Sequence, residues 1–248
     1  MTPPPTATTT VKGGARPQVS PRKHDVEGIE RVYVWDLLVR MTHWLIMLTT
    51  FILAITGIYI GKPYLIPMGP TDEMSVMGTM RVVHFYAAII FSLSVISRIV
   101  WMFVGSYYAR WHQFVPMSPR RRGDVLRMLK FYTLINKEPP LNVGHNPLAG
   151  MTYLAVFGIY LILIVTGVAL YSISAVGYME WFEWLVPLLG GAQTARWIHH
   201  IAMWFLLGFA AHHIRSAMLV SRIEGMGLID SLFSGYKFLP RSWRDRDK

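Results

Sequence analysis

Four long apolar runs constrain this chain more than any other feature. They cover about 41–60, 82–104, 149–171 and 197–220. Each is close to the ~20 residues that a helix needs to cross the hydrocarbon core of a bilayer. In lipid, a single segment can satisfy its own backbone hydrogen bonds only as a helix. The expected fold is all-α: an integral membrane four-helix bundle over residues 33–236. Residues 1–32 are rich in Pro, Thr and charge and show no periodicity, so they read as a disordered tail. Residues 237–248 read as a basic tail. The first ~30 residues hold no apolar run of the kind a cleaved signal peptide requires.

The charge pattern sets an expected orientation. Only 15% of the 248 residues are charged, which fits a chain solvated mainly by lipid, since a soluble domain carries about 25%. The net charge of +10 raises the question of nucleic acid. The basic residues, however, sit between the apolar runs and lack interleaved aromatics for base stacking. Six lie in the first 40 residues, seven between the second and third runs, and seven beyond His213. The other two connections carry only Lys62 and Arg81, then Arg196. By the positive-inside rule, both termini and the middle connection face the cytoplasm of a bacterial inner membrane. Between Ser172 and Arg196, the segment YMEWFEWLVPLLGG places Trp181 and Trp184 one helical turn apart. It reads as a short amphipathic helix on the outer interface, either an aromatic belt or a partner-docking surface.

An ionisable side chain inside a spanning helix points to function. The fourth run holds two pairs, His199-His200 and His212-His213. Of the four spacings between them, only His199 to His213 is fourteen residues. Fourteen steps of ~100° fall about 40° short of four full turns, so these two share a face roughly 21 Å apart along the axis. Depth then assigns partners. His84 enters with the second helix from outside and matches His199; His43 enters with the first helix from the cytoplasm and matches His213.

The four histidines read as axial ligands of two haems, and two histidines on one iron leave no open position for substrate, which favours electron transfer. The chain has no cysteine. That excludes disulfides, cysteine-ligated clusters and covalent haem attachment, so the sites are of b type. Gly57, fourteen residues after His43, is expected either to admit a flat macrocycle at the outer haem or to serve helix packing. Arg98, fourteen after His84, is expected either at an inner-haem propionate or snorkelling to the interface. His200 and His212 fall off the ligand face and read as packing groups; His24 and His112 read as loop histidines.

At these residues the chain resembles the b-type cytochrome subunit of membrane-bound, periplasm-facing nickel–iron hydrogenases. The matching stretches are RVYVWDLLVRMTHW, RVVHFYAA, GHNPLAG and WIHHIAMWF continuing to His213, and the resemblance runs from about Arg31 to Tyr236. The wider superfamily includes the cytochrome subunit of formate dehydrogenase. The resemblance implies that electrons from the iron–sulfur small subunit of a hydrogenase enter at His84 and His199, cross to His43 and His213, and reduce a quinone. It implies contact with that subunit's own membrane helix and, through it, with the large subunit. The chain itself carries no nickel ligands. The quinone site is expected at Gly144-His145-Asn146-Pro147, where His145 and Asn146 can hydrogen-bond a carbonyl; Asn before Pro is equally a helix start. Two other readings stand beside this one. The first is a di-haem subunit of another periplasmic oxidoreductase, of formate dehydrogenase or thiosulfate reductase type. The second is a haem-free transporter or scaffold, with Gly57 and Gly167, each following a threonine, as helix-breaking candidates.

Overall fold

The computed structural model describes residues 28–64, 76–136, 144, 146–174 and 177–240. Among them, four helices are long and apolar enough to cross a membrane: α1 (Leu37–Gly61), α2 (Val76–Val104), α4 (Pro147–Ser172) and α6 (Ala192–Glu224). Three short helices, α3 (Pro119–Tyr132), α5 (Leu185–Leu188) and α7 (Ser231–Ser234), lie between or after them. Each spanning helix runs past the apolar window expected for it. The excess is largest in α6, whose 33 residues span about 50 Å at ~1.5 Å per residue, beyond the ~30 Å hydrocarbon core. Its stop is backbone chemistry: Gly225 takes the left-handed conformation at φ 63°, which glycine adopts without a Cβ penalty.

The bundle consists of two hairpins. α1 packs along α2, α4 packs along α6, and α2 also touches α4. Along α1, Thr42, Thr49 and Thr56 recur every seven residues on the buried side. Each hydroxyl donates to the carbonyl four residues back, at 2.7, 2.6 and 2.8 Å. A polar group hidden in its own helix in this way adds little bulk, and small residues at such seams let backbones approach in lipid. Ile46, Phe91 and Val95 form the central core, with Phe157 and Tyr160 of α4 against it. Large apolar side chains on the outer surface stay exposed, Phe51 at 63% and Phe205 at 67%. Apolar cover of that extent suits lipid, not water.

One end of the bundle is closed by a two-stranded antiparallel sheet, β1 (Ile29–Tyr33) on β2 (Tyr236–Pro240), with Ile29 opposite Pro240 and Tyr33 opposite Tyr236. Both strands begin or end inside the stretches that read as tails. Lys237 is buried there at 1% exposure, with its Nζ 3.7 Å from the Glu224 carboxylate. The Trp35 indole N–H donates to Ser231 Oγ at 2.9 Å, and Val34, Trp35, Val39, Ala109 and Leu239 form a core under the sheet. The two chain ends thus meet on one side of the bundle, here called the sheet end.

The connection after α2 is also structured. Ser118 caps α3 by accepting from the Arg121 amide at 3.3 Å, and Pro119 takes the first helical turn. The Arg121 guanidinium donates to Gln113 Oε1 and to the Gln113 carbonyl. α4 crosses this turn so closely that a Cβ on Gly150 would lie 2.9 Å from the Gln113 carbonyl oxygen and 3.0 Å from Phe114 Cα. At the opposite, far end, the tryptophan-rich connection is not one amphipathic helix. It forms a 3-10 segment (Gly177–Phe182) followed by the single turn α5, because Pro187 and Gly190-Gly191 cut the helix short. Trp181 and Trp184 are exposed.

Two glycines of α4 should respond oppositely to alanine. Gly158→Ala meets nothing within 4 Å and should stabilise by about 0.5–1 kcal/mol through helix propensity. Gly150→Ala drives a Cβ into backbone and should destabilise by about 1–3 kcal/mol. Thermal unfolding of both variants in one detergent checks the sign of each.

Candidate functional site

Four histidines of the spanning helices fall into two groups: His43 and His213 ring against ring in the sheet half, and His84 within electrostatic range of His199 in the far half. In the far half, His84 of α2 and His199 of α6 each have a threonine hydroxyl at Nδ1, and His199 has the Leu163 backbone as a further partner. His84 Nδ1 lies 2.8 Å from Thr56 Oγ1 of α1. His199 Nδ1 lies 2.8 Å from Thr166 Oγ1 of α4. Each threonine already spends its single proton on its own helix, Thr56 on the Ile52 carbonyl at 2.8 Å and Thr166 on the Ile162 carbonyl at 2.6 Å. A hydroxyl has one proton to give and lone pairs to accept with. Both hydroxyls therefore accept from Nδ1–H, and in each ring Nε2 is left with a bare lone pair.

Glycine follows threonine in both places. A Cβ on Gly57 would sit 3.3 Å from His84 Cε1, and one on Gly167 would sit 3.4 Å from His199 Cε1. The two Thr-Gly steps are thus matched cradles: the hydroxyl takes the ring N–H and the glycine lets the ring lie against the helix. The Gly57 position also comes within 3.9 Å of Met203 Sδ, one turn beyond His199 on α6. His199 lies within electrostatic range of His84 and of its neighbour His200.

In the sheet half, the rings of His43 and His213 face each other across α1 and α6. Their centroids are 6.4 Å apart and their planes are inclined by 59°. A metal–imidazole bond is about 2 Å long, so two imidazoles on opposite sides of one ion place their ring centres roughly 6 Å apart. His43 Nδ1 is buried and has no hydrogen-bond partner among the described residues; its ring lies edge-on to Trp44. His213 stacks on Phe209 at 5.4 Å, and its Nδ1 is 3.5 Å from the Tyr153 hydroxyl. Among the described residues, no three His, Cys, Asp or Glu side chains converge as an ion site.

The remaining singled-out residues are placed as follows. Gly57 lies against the His84 ring, where a Cβ would come within 3.3 Å of Cε1. Arg98 is buried at 6% exposure. It donates to the Ala109 carbonyl in the connection beyond α2 at 3.4 Å and lies over the Phe114 ring at 5.5 Å. His200 packs where a Cβ on Gly61 would come within 3.0 Å. His212 Nε2 is 3.2 Å from Ser216 Oγ. His112 sits in a short 3-10 turn near Tyr107; burial, then the Arg110 and Arg121 cations, hold its pKa below the usual histidine value. Asn146 is the N-cap of α4, accepting from the Ala149 amide at 2.7 Å. His24 and His145 lie outside the described residues. Thr56 and Thr166 carry contacts that the histidine spacing did not reveal. Their signal was the repeated dipeptide in AITG and IVTG.

Residues 34–235 match the family described as prokaryotic cytochrome b561. The chain belongs to that family. Several relatives are described as "Probable Ni/Fe-hydrogenase B-type cytochrome subunit". The one from Cupriavidus necator is 33% identical over 216 residues, covering 85% of this chain and 88% of the relative. The one from Rhizobium leguminosarum bv. viciae is 34% identical over 232 residues, covering 90% and 95%. The hydrogenase 1 counterpart from Escherichia coli K12 is 30% identical over 211 residues, covering 83% and 90%. The family match spans α1 through α7 and includes all four paired histidines, so the resemblance read from Arg31 to Tyr236 falls on this family.

Within this cytochrome b561 fold, the cap at Asn146 is open to a direct check. Asn146→Ala should cost about 1 kcal/mol, and Asn146→Asp should retain most of that stability. Thermal unfolding in detergent distinguishes the two.

Proposed function

We propose that this chain is the membrane electron-transfer subunit of a periplasm-facing nickel–iron hydrogenase. In this reading it carries electrons from the iron–sulfur small subunit through two bis-histidine haems b to the quinone pool. One observation carries the reading: the rings of His43 and His213 face each other at 6.4 Å across α1 and α6, while His84 and His199 are each held by a threonine in the other half of the bundle. Family membership and the descriptions of the relatives support it.

The residues fit the group. His43 and His213 stand at the ring separation that one shared metal requires. His84 and His199 each have Nδ1 on a threonine hydroxyl, which leaves Nε2 as the unprotonated ring nitrogen. Haem b, when bound, supplies an iron that takes up and gives back one electron. The chain's own side chains do the rest. His84 and His199 hold the far site and His43 and His213 the sheet-end site, while Phe91, Val95 and Phe157 keep the intervening core dry. By the positive-inside rule, the sheet end faces the cytoplasm and the far end faces the periplasm. The far site then lies toward the hydrogenase small subunit, whose membrane helix is proposed to pack against this bundle. The sheet-end site lies toward the quinone. Asn146 holds the start of α4 at that end, and with His145 it is proposed to line the quinone site, with Arg98 serving a haem propionate.

Two haems b per chain are expected in a pyridine haemochrome assay on the detergent-purified protein. His84→Ala or His199→Ala should each remove one haem, and His43→Ala or His213→Ala should each remove the other. His200→Ala and His212→Ala should retain both. A folded wild-type protein without haem would sink the reading in favour of a transporter or scaffold, and co-purification with a different periplasmic dehydrogenase would change the partner.

A further inference from the structure

The two histidine pairs are not chemically alike. In the far pair both rings are cradled by a Thr-Gly step, with an accepting hydroxyl at 2.8 Å from each Nδ1. In the sheet-end pair His43 Nδ1 is buried without a hydrogen-bond partner among the described residues, and His213 Nδ1 reaches Tyr153 only at 3.5 Å. We infer that Thr56 and Thr166 are positioning residues that make the far site the more electron-donating of the two, so that its haem has the lower midpoint potential. The inference rests on the bis-histidine reading above.

The argument starts from the hydroxyl proton. A carbonyl oxygen cannot donate, so the short contacts from Thr56 to Ile52 O and from Thr166 to Ile162 O commit each hydroxyl proton to its own helix. The histidine must then supply the proton in the second contact, which fixes the Nδ1–H tautomer and aims Nε2 away from the threonine. A hydrogen bond accepted from Nδ1–H pushes electron density toward Nε2 and makes the ring a more basic ligand. A more basic pair of ligands favours ferric over ferrous iron, and hydrogen bonding behind the ligand is one of the protein's levers on haem potential. Both far-site ligands receive this push. At the sheet end, His43 receives none and His213 at most a weak one. The glycines adjoin the same device: a Cβ at Gly57 would crowd the His84 ring edge at 3.3 Å, and one at Gly167 would only touch the His199 ring at 3.4 Å. The resulting gradient runs downhill for electrons from the far end to the sheet end, so the direction of flow is written into two threonines.

The test is a redox titration of the purified chain, followed by optical and EPR spectroscopy, with haem counted in every sample. Thr56→Val and Thr166→Val keep the side-chain shape and remove the acceptor. Each should raise the lower of the two midpoint potentials, leave the higher one in place, and alter the EPR signal of the lower-potential haem. Thr56→Ser and Thr166→Ser keep a hydroxyl and should titrate like the wild type. Selective loss of one haem in the valine variants, with retention in the serine variants, also supports the positioning role. The inference is overturned if valine variants holding both haems keep both potentials, if the higher potential is the one that moves, or if serine behaves like valine. A wild-type chain holding fewer than two haems would instead remove the reading on which the inference depends.

Discussion

A buried ring N–H with nowhere to go is costly in a lipid-embedded bundle, and the hydrogen bonds that answer that need set the geometry here. Thr56 accepts from His84 and ties α2 to α1; Thr166 accepts from His199 and ties α6 to α4. Each bond lies across one hairpin and leaves the free edge of the ring to the space between hairpins. Turning α6 by one residue would swing its side chains by ~100° and take His199 off its acceptor. His213 would leave His43 in the same movement. Thr166 is thus one of the contacts that hold the phase of the helix.

The sheet end is built to hold that phase from below. The Asp36 carboxylate accepts from the Trp101 indole at 2.7 Å and from the Ser106 amide at 3.1 Å, joining the start of α1 to the end of α2. Arg40 reaches the Phe233 carbonyl, and β1 pairs with β2, so the start of the bundle is clamped to its end. The Lys237 ammonium beside Glu224 completes the clamp at the last residue of α6. The far end has no comparable closure among the described residues. It offers exposed Tyr178, Trp181 and Trp184 instead, a surface suited to the membrane interface.

Much of this was legible in the sequence, for identifiable reasons. Spanning helices are announced by length and apolarity alone, and the histidine phases follow from a fixed 100° step, so four helices and the His43–His213 meeting could be reasoned from spacing. The sheet could not. Its strands are about two hundred residues apart, and Lys237 reads as one more charge in a basic tail until β2 buries it. α3 was hidden because its sequence is polar and carries three consecutive arginines, which signal an interface and not a fold. The extra turns of the spanning helices were missed because helices continue beyond the hydrocarbon window for which apolarity is the marker. At the site, spacing pointed to Gly57 without saying what lies against it. The neighbour, the His84 ring, comes from another helix, and only three-dimensional packing shows that Thr56 and Gly57 act as a unit.

Placing one ligand of each site on a single helix has a mechanical consequence under the proposed function. His199 and His213 share α6, so the distance between the two sites along the membrane normal is set by helical rise, about 21 Å for fourteen residues, and not by how the hairpins settle. The opposing ligands come from different helices, His43 from α1 and His84 from α2. Both of those helices belong to one hairpin, so relative motion of the hairpins would open or close the two sites together while leaving their spacing nearly constant. Such an arrangement separates two tasks. The rigid helix fixes how far an electron must travel, and the threonine cradles, present only in the far half, fix how strongly it is held at each end.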